Sequence, residues 1–162
     1  MALLTQIQYT KQQSKQVIID LIPLLLAIAS LFSMQSMAND SIAVQWTTID
    51  DSTGQPKSIV AIQQDGNVFS GKIIKLINPS ENNPLCSKCK GDKANQPILG
   101  LTILWDVKQQ QNHYKGSILD PKKGKTYKLK LTLIENGEKL KVRGYIGTPL
   151  LGRTQVWIRT TQ

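Results

Sequence analysis

From residue 40 onward, apolar and polar side chains alternate almost one by one, and the alternation breaks every eight to twelve residues or so at turn-forming positions. Successive side chains of a strand point to opposite faces, so this pattern predicts short strands with one dry and one wet face. Lys125 to Ile134 shows it most clearly. Tyr127, Leu129, Leu131 and Leu133 fall on one face, and Thr126, Lys128, Lys130 and Thr132 on the other. An Asn136-Gly137 turn follows, where both residues tolerate positive φ. In the next segment, Lys139 to Gly147, Leu140, Val142 and Ile146 oppose Lys139, Lys141 and Arg143.

The same reading places strands at Ile42–Ile49, Lys57–Gln64, Asn67–Ile77, Ile98–Val107, His113–Leu119 and Gly152–Thr160. Asp65-Gly66 predicts a tight hairpin, and Asp120-Pro121-Lys122-Lys123-Gly124 a turn fixed by its proline and glycine. Asn78 to Pro97, with Pro79, Pro84 and Pro97 and both cysteines, is a loop by composition. Short turns make neighbours antiparallel. About eight such strands remove their exposed edges most simply by closing, so the expected fold is all-β, an eight-stranded antiparallel up-and-down barrel. An open sandwich is the alternative.

The first residues follow another pattern. Met1–Gln16 is polar with Lys11 and Lys15 as its charges, Leu21–Phe32 is apolar, and Ser33–Ala38 is small and flexible. These are the three parts of a secretory signal, with the cut expected after Ala38. A membrane-spanning helix needs about 20 apolar residues, and Asp20 and Pro23 hold this block well short of that. The expected organisation is a signal peptide over 1–38 and one domain over 39–162, in the periplasm or secreted. No cysteine stands at the cut, which argues against an acylated lipoprotein.

Charge adds a preference for partners. Twenty Lys and Arg stand against 11 Asp and Glu, a formal net charge of +9. This favours an anionic membrane surface or an acidic partner. Nucleic acid is not expected, because export removes the chain from it and the basic residues are scattered along the strands.

Three constellations bear on chemistry. Cys86-Ser87-Lys88-Cys89 reads as a disulfide, a redox pair or two metal ligands. An oxidising compartment favours the disulfide. A redox pair usually sits at a helix N-terminus, and none is predicted here. A closed zinc site needs four ligands, whereas the chain has two Cys and one His. No metal and no cofactor is expected. The second constellation is aromatic and cationic: Trp46, Trp105, Tyr127, Arg143, Tyr145, Arg153 and Trp157. These are candidate residues of a pocket with a few polar anchors. The alternative is that Trp46 and Trp157 plug one end, with an arginine over an indole; Trp46 suits the plug better, whereas Arg143 and Arg153 suit either reading. Third, His113 lies in a polar stretch, Asp50 and Asp51 read as turn formers, and no Gly-x-Ser-x-Gly or phosphate-cradling motif is present. Binding of a small hydrophobic ligand or lipid is therefore expected over catalysis. A solid barrel docking on acidic partners and a thiol-redox protein are the alternatives.

Several stretches together resemble one family. They are Trp46–Gly54 with Lys57–Val60, Gly71–Ile73, Cys86-x-x-Cys89-Lys90-Gly91, Pro97–Trp105, Ile118–Pro121 with Gly124–Tyr127, Val142–Gly147, and Leu151-Gly152-Arg153-Thr154-Gln155-x-Trp157. The resemblance is to small bacterial envelope proteins known as domain of unknown function 2147. It implies a lipocalin-like fold and an envelope location, and it carries over no catalytic residue. Val44 departs from the Gly-x-Trp opening common in lipocalin-like chains, where a glycine would stand.

Overall fold

The alternation is realised as eight strands in a computed structural model that describes residues 41–161, except Glu81 and Asn83. The segment read as a signal peptide and its cut after Ala38 lie outside the described residues. The strands are β1 (Gln45–Ile49), β2 (Pro56–Asp65), β3 (Val68–Leu76), β4 (Thr102–Gln110), β5 (His113–Asp120), β6 (Lys125–Ile134), β7 (Lys139–Tyr145) and β8 (Gly152–Arg159). Each pairs antiparallel with the next, and β8 returns to β1 through Trp46↔Arg159 and Thr47↔Ile158. The sheet is thus a closed barrel without a free edge.

Turn chemistry sets the joints. Gly66 has φ 58° and opens the two-residue β2–β3 turn Gly66-Asn67, one position later than the sequence pattern indicates. Between β6 and β7, Glu135, Asn136 and Gly137 all adopt positive φ.

Most strand limits differ from the sequence reading by a residue or more, and three of the shifts have a visible cause. Ile98 to Leu101 belongs to the long connection, since Gly100 turns at φ 87° and its amide donates to the Ile73 carbonyl at 2.8 Å. The strand after the hairpin stops at Tyr145. Ile146 therefore does not join the dry face of Leu140 and Val142 but is 64% exposed ahead of Gly147 at φ 70°. Residues 42–44 precede β1 as a turn: the Ile42 carbonyl accepts from the Val44 amide at 2.8 Å and from the Trp46 indole at 2.9 Å. Val44 needs no positive φ there, which is how a valine serves where a glycine is common.

The core is the inner face. Trp46, Val60, Leu104, Leu129, Leu131 and Leu140 are fully buried, with Phe69 and Tyr114 in edge-to-face contact at 5.2 Å. A bulge in β4 at Asp106 (φ 54°) turns both Leu104 and Val107 inward although they are three residues apart. Opposite it, Gly116 leaves the room this needs: a Cβ there would lie 2.7 Å from Val107 Cα.

Candidate functional site

The inward row of side chains changes in size along the barrel. Near the β2–β3, β4–β5 and β6–β7 turns it is filled by large apolar groups. Trp46 caps this end, with Arg159 over its ring at 5.0 Å, and the Arg159 guanidinium donates to the carbonyls of Gly137 (2.7 Å) and Ser41 (3.4 Å). Toward the opposite end the inward positions include Thr48, Ser58, Ile73, Ile118, Val142 and Gly144. These smaller groups leave a cavity of about 870 Å³ that opens between the β1–β2 turn, the β5–β6 turn and the β7–β8 connection. Trp157, 2% exposed, lies deep in it.

Two polar clusters stand out in the lining. Thr48 and Ser58 face each other across β1 and β2, their buried hydroxyls 2.7 Å apart. One proton serves that contact, so the pair keeps a second for a ligand. The other group is a chain up the inner side of β8. Trp157 Nε1 donates to Gln155 Oε1 at 3.2 Å, Gln155 Nε2 donates to the Asp51 carboxylate, and Arg153 is ion-paired with the same carboxylate. Asp51, at the mouth, thus joins the β1–β2 turn to β8.

Its neighbour does different work. Asp50 Oδ1 accepts the amides of Ser52 (2.9 Å) and Thr53 (3.3 Å), and its Oδ2 accepts from Lys57 Nζ at 3.2 Å. Those donors stabilise the anion, the Ser52 amide most, and hold the carboxyl at about 2, below its usual 3.8. Asp120 shapes the β5–β6 turn in the same way through the amides of Lys122 and Lys123, at 3.0 and 3.3 Å. Lys122 and Lys123 themselves are exposed at the mouth and have no ion pair among the described residues.

The seven candidates of the sequence reading divide. Tyr127, Tyr145, Arg153 and Trp157 line the cavity. Trp46 is the cap of the opposite end. Trp105 and Arg143 stand outside the barrel, one strand position away from inward Leu104 and Gly144. Trp105 pairs with Ser117 and lies under Lys93 of the long connection, 5.1 Å from ring centre to Nζ. Arg143 pairs with Thr154 and donates to its hydroxyl at 2.6 Å and to the carbonyls of Pro149 (2.7 Å) and Leu150 (3.3 Å). Thr48, Ser58, Asp51 and Gln155 were missed. Gln155 shares its face with Arg153 and Trp157, which sequence parity alone indicates.

The long connection braces the mouth. Leu85 bridges Pro97, the Cys86 amide donates to Gln96 at 2.8 Å, and the Ile98 amide to Pro84 at 2.9 Å. Within this lobe the Cys86 and Cys89 sulfurs stand at disulfide distance, both residues buried and in no helix. The β5–β6 turn presses against them. Gly124, at φ 64°, has no room for a Cβ because it would overlap the Lys88 carbonyl, and Cys86 Sγ is 3.5 Å from the Pro121 carbonyl. Among the described residues no group of three His, Cys, Asp or Glu side chains is placed to hold a metal ion.

A solved structure described as "Protein HP1028 from the human pathogen Helicobacter pylori belongs to the lipocalin family" is similar to this chain, with a TM-score of 0.65 at 19% identity. The alignment covers 75% of this chain and 84% of that one. At that identity the likeness concerns the fold: this barrel is lipocalin-like. No curated protein matches the sequence. The model of the family described as "Uncharacterized protein conserved in bacteria (DUF2147)" matches residues 45–159, from the first residue of β1 to the last of β8. The chain belongs to that bacterial family.

Proposed function

We propose that this protein is an exported carrier, and not an enzyme, that holds one amphiphile with its apolar tail in the barrel and its acidic head at the mouth. The observation that carries the reading is the cavity of about 870 Å³, walled mainly by apolar side chains and open at one end. Its size lies within the roughly 300–1,000 Å³ of small-molecule sites. An eight-stranded barrel either fills its interior or leaves space for one small ligand, and here space is left toward the mouth. At the mouth Lys122 and Lys123 offer charge to an acidic head, and the Thr48–Ser58 pair offers a hydroxyl donor deeper in. The lipocalin-like fold is consistent with small-ligand binding, and the N-terminal signal pattern supports a place outside the cytoplasm.

Titration with a fluorescent fatty acid tests this. The reading predicts saturation at one probe per chain, displacement by unlabelled long-chain fatty acids, and weaker displacement by alcohols of the same length. Absence of saturable binding to protein stripped of bound lipid would overturn it.

A further inference from the structure

The β7–β8 connection at the mouth is unusual in what it exposes. Ile146 is 64% exposed, Leu150 89% and Leu151 83%, three large apolar side chains within six residues. Single exposed leucines are ordinary, but a contiguous exposed apolar group marks a contact surface. This one is also held rigidly. Pro149–Leu151 forms a 3-10 turn, and Arg143 spends three hydrogen bonds on it and its flank: the Pro149 and Leu150 carbonyls and the Thr154 hydroxyl. The guanidinium therefore fixes the backbone of a loop whose apolar side chains are exposed at the mouth.

The charge beside the loop is positive. Lys122 and Lys123 project from the β5–β6 turn on the same mouth, and Ile146 and Leu151 border the same opening. The nearby carboxylates are already engaged: Asp50 by Lys57, Asp51 by Arg153 and Gln155, and Asp120 by turn amides. What the rim presents outward is an apolar finger next to two ammonium groups that have no ion pair among the described residues, on a chain of net charge +9. That combination is complementary to one surface, an anionic lipid bilayer. Leucines enter the acyl boundary while lysines remain among the headgroups.

We infer that Ile146, Leu150 and Leu151, with Lys122 and Lys123, dock the open mouth of the barrel onto an anionic membrane. The cavity then opens directly at the lipid surface, and an amphiphile passes between bilayer and barrel without crossing water. The docking itself needs no ligand, so it stands or falls separately from the carrier reading.

The test is flotation of the purified protein with vesicles of phosphatidylcholine containing phosphatidylglycerol, against phosphatidylcholine alone. The expected result is binding to the anionic vesicles that falls as salt rises. Leu150→Ser with Leu151→Ser should lower the vesicle partition constant about tenfold, by loss of apolar insertion. Lys122→Ser with Lys123→Ser should lower it by about thirtyfold, at about 1 kcal/mol for each lysine near the surface. All four residues are exposed, so unchanged melting temperatures verify that the variants fold. The N-terminal segment is common to all of them, and the differences therefore read the mouth. Equal flotation of wild type and the leucine variant overturns the inference. So does a concentration-dependent dimer that the leucine variant abolishes while wild type ignores vesicles, since the patch would then cover a second copy of this chain.

Discussion

The two ends of the barrel are built from one alternating pattern and differ in what the inward positions carry. At the capped end they hold Trp46, Phe69, Tyr114, Leu131 and Leu140, all buried. At the open end they hold Thr48, Ser58, Val142 and Gly144, and the interior is hollow. Both halves are built on the same eight antiparallel strands, bulged at several points, and the ends differ in the side-chain volume that those strands turn inward. Stability and binding should therefore be separable by mutation along the barrel.

The largest effect should come from the cap. Trp46 is fully buried, donates to Ile42 and stacks on Arg159, so Trp46→Ala should cost about 3–5 kcal/mol. Urea unfolding measures this. If the halves are independent, probe affinity at temperatures where the variant stays folded should change less than about threefold.

Two inward glycines give a finer contrast. Gly144→Phe should fill the cavity, because a Cβ at Gly144 meets only ordinary contacts, 3.6 Å to Tyr127 and 3.7 Å to Ile118. Probe binding should weaken by at least about tenfold with little loss of stability. Gly116→Ala, in the filled region, should do the reverse. Its methyl would meet Val107 Cα and Cγ2 at 2.7 Å, costing about 1–3 kcal/mol with binding retained.

Asp51→Asn should act more gently. The exposed ion pair with Arg153 contributes less than about 1 kcal/mol, so stability should barely move. The released guanidinium should raise affinity for a fatty acid by about two- to fivefold and leave a neutral amphiphile unchanged. Equal changes for both ligands would show that Arg153 does not meet the head.

The ends should also differ in acid response, with small amplitude. At the capped end His113 has its pKa lowered from 6.5, first by desolvation and then by Lys130 and Lys115. The unfolded chain then binds a proton first, so stability should decline as pH falls through about 6.5 and level off below the folded value. At the mouth, Asp50 sits at about 2 against 3.8. Its contribution is present above about 3.8 and is lost as pH falls from there to about 2. Melting curves of His113→Asn and Asp50→Asn should each remove one of the two slopes.

Much of the fold was legible because strand alternation and turn chemistry are local. The Asn136-Gly137 hairpin, the Asp120–Gly124 turn and the inward row of β6 all follow from a few neighbouring residues. The bulge at Asp106 was not legible, since it depends on Gly116 across the sheet. Without it, the period of β4 could not be assigned, and Trp105 joined the pocket candidates although it lies outside. The candidate site was legible to the extent that parity reached. Arg153, Gln155 and Trp157 share a face of β8, yet Gln155 attracts no notice until Asp51 arrives from a turn a hundred residues earlier. Reading Asp50 and Asp51 as turn formers described Asp50 well and concealed Asp51, because which of two adjacent carboxylates turns toward β8 is decided by closure of the barrel. Whether the barrel is hollow depends on volumes summed over all eight strands, which no single segment displays.

Native mass spectrometry of the protein, purified without detergent from its own host, tests the hollow end most directly. The account predicts one bound amphiphile per wild-type chain, its loss in Gly144→Phe, and its retention in Trp46→Ala that remains folded. An empty wild-type chain, or equal occupancy in wild type and Gly144→Phe, would contradict it.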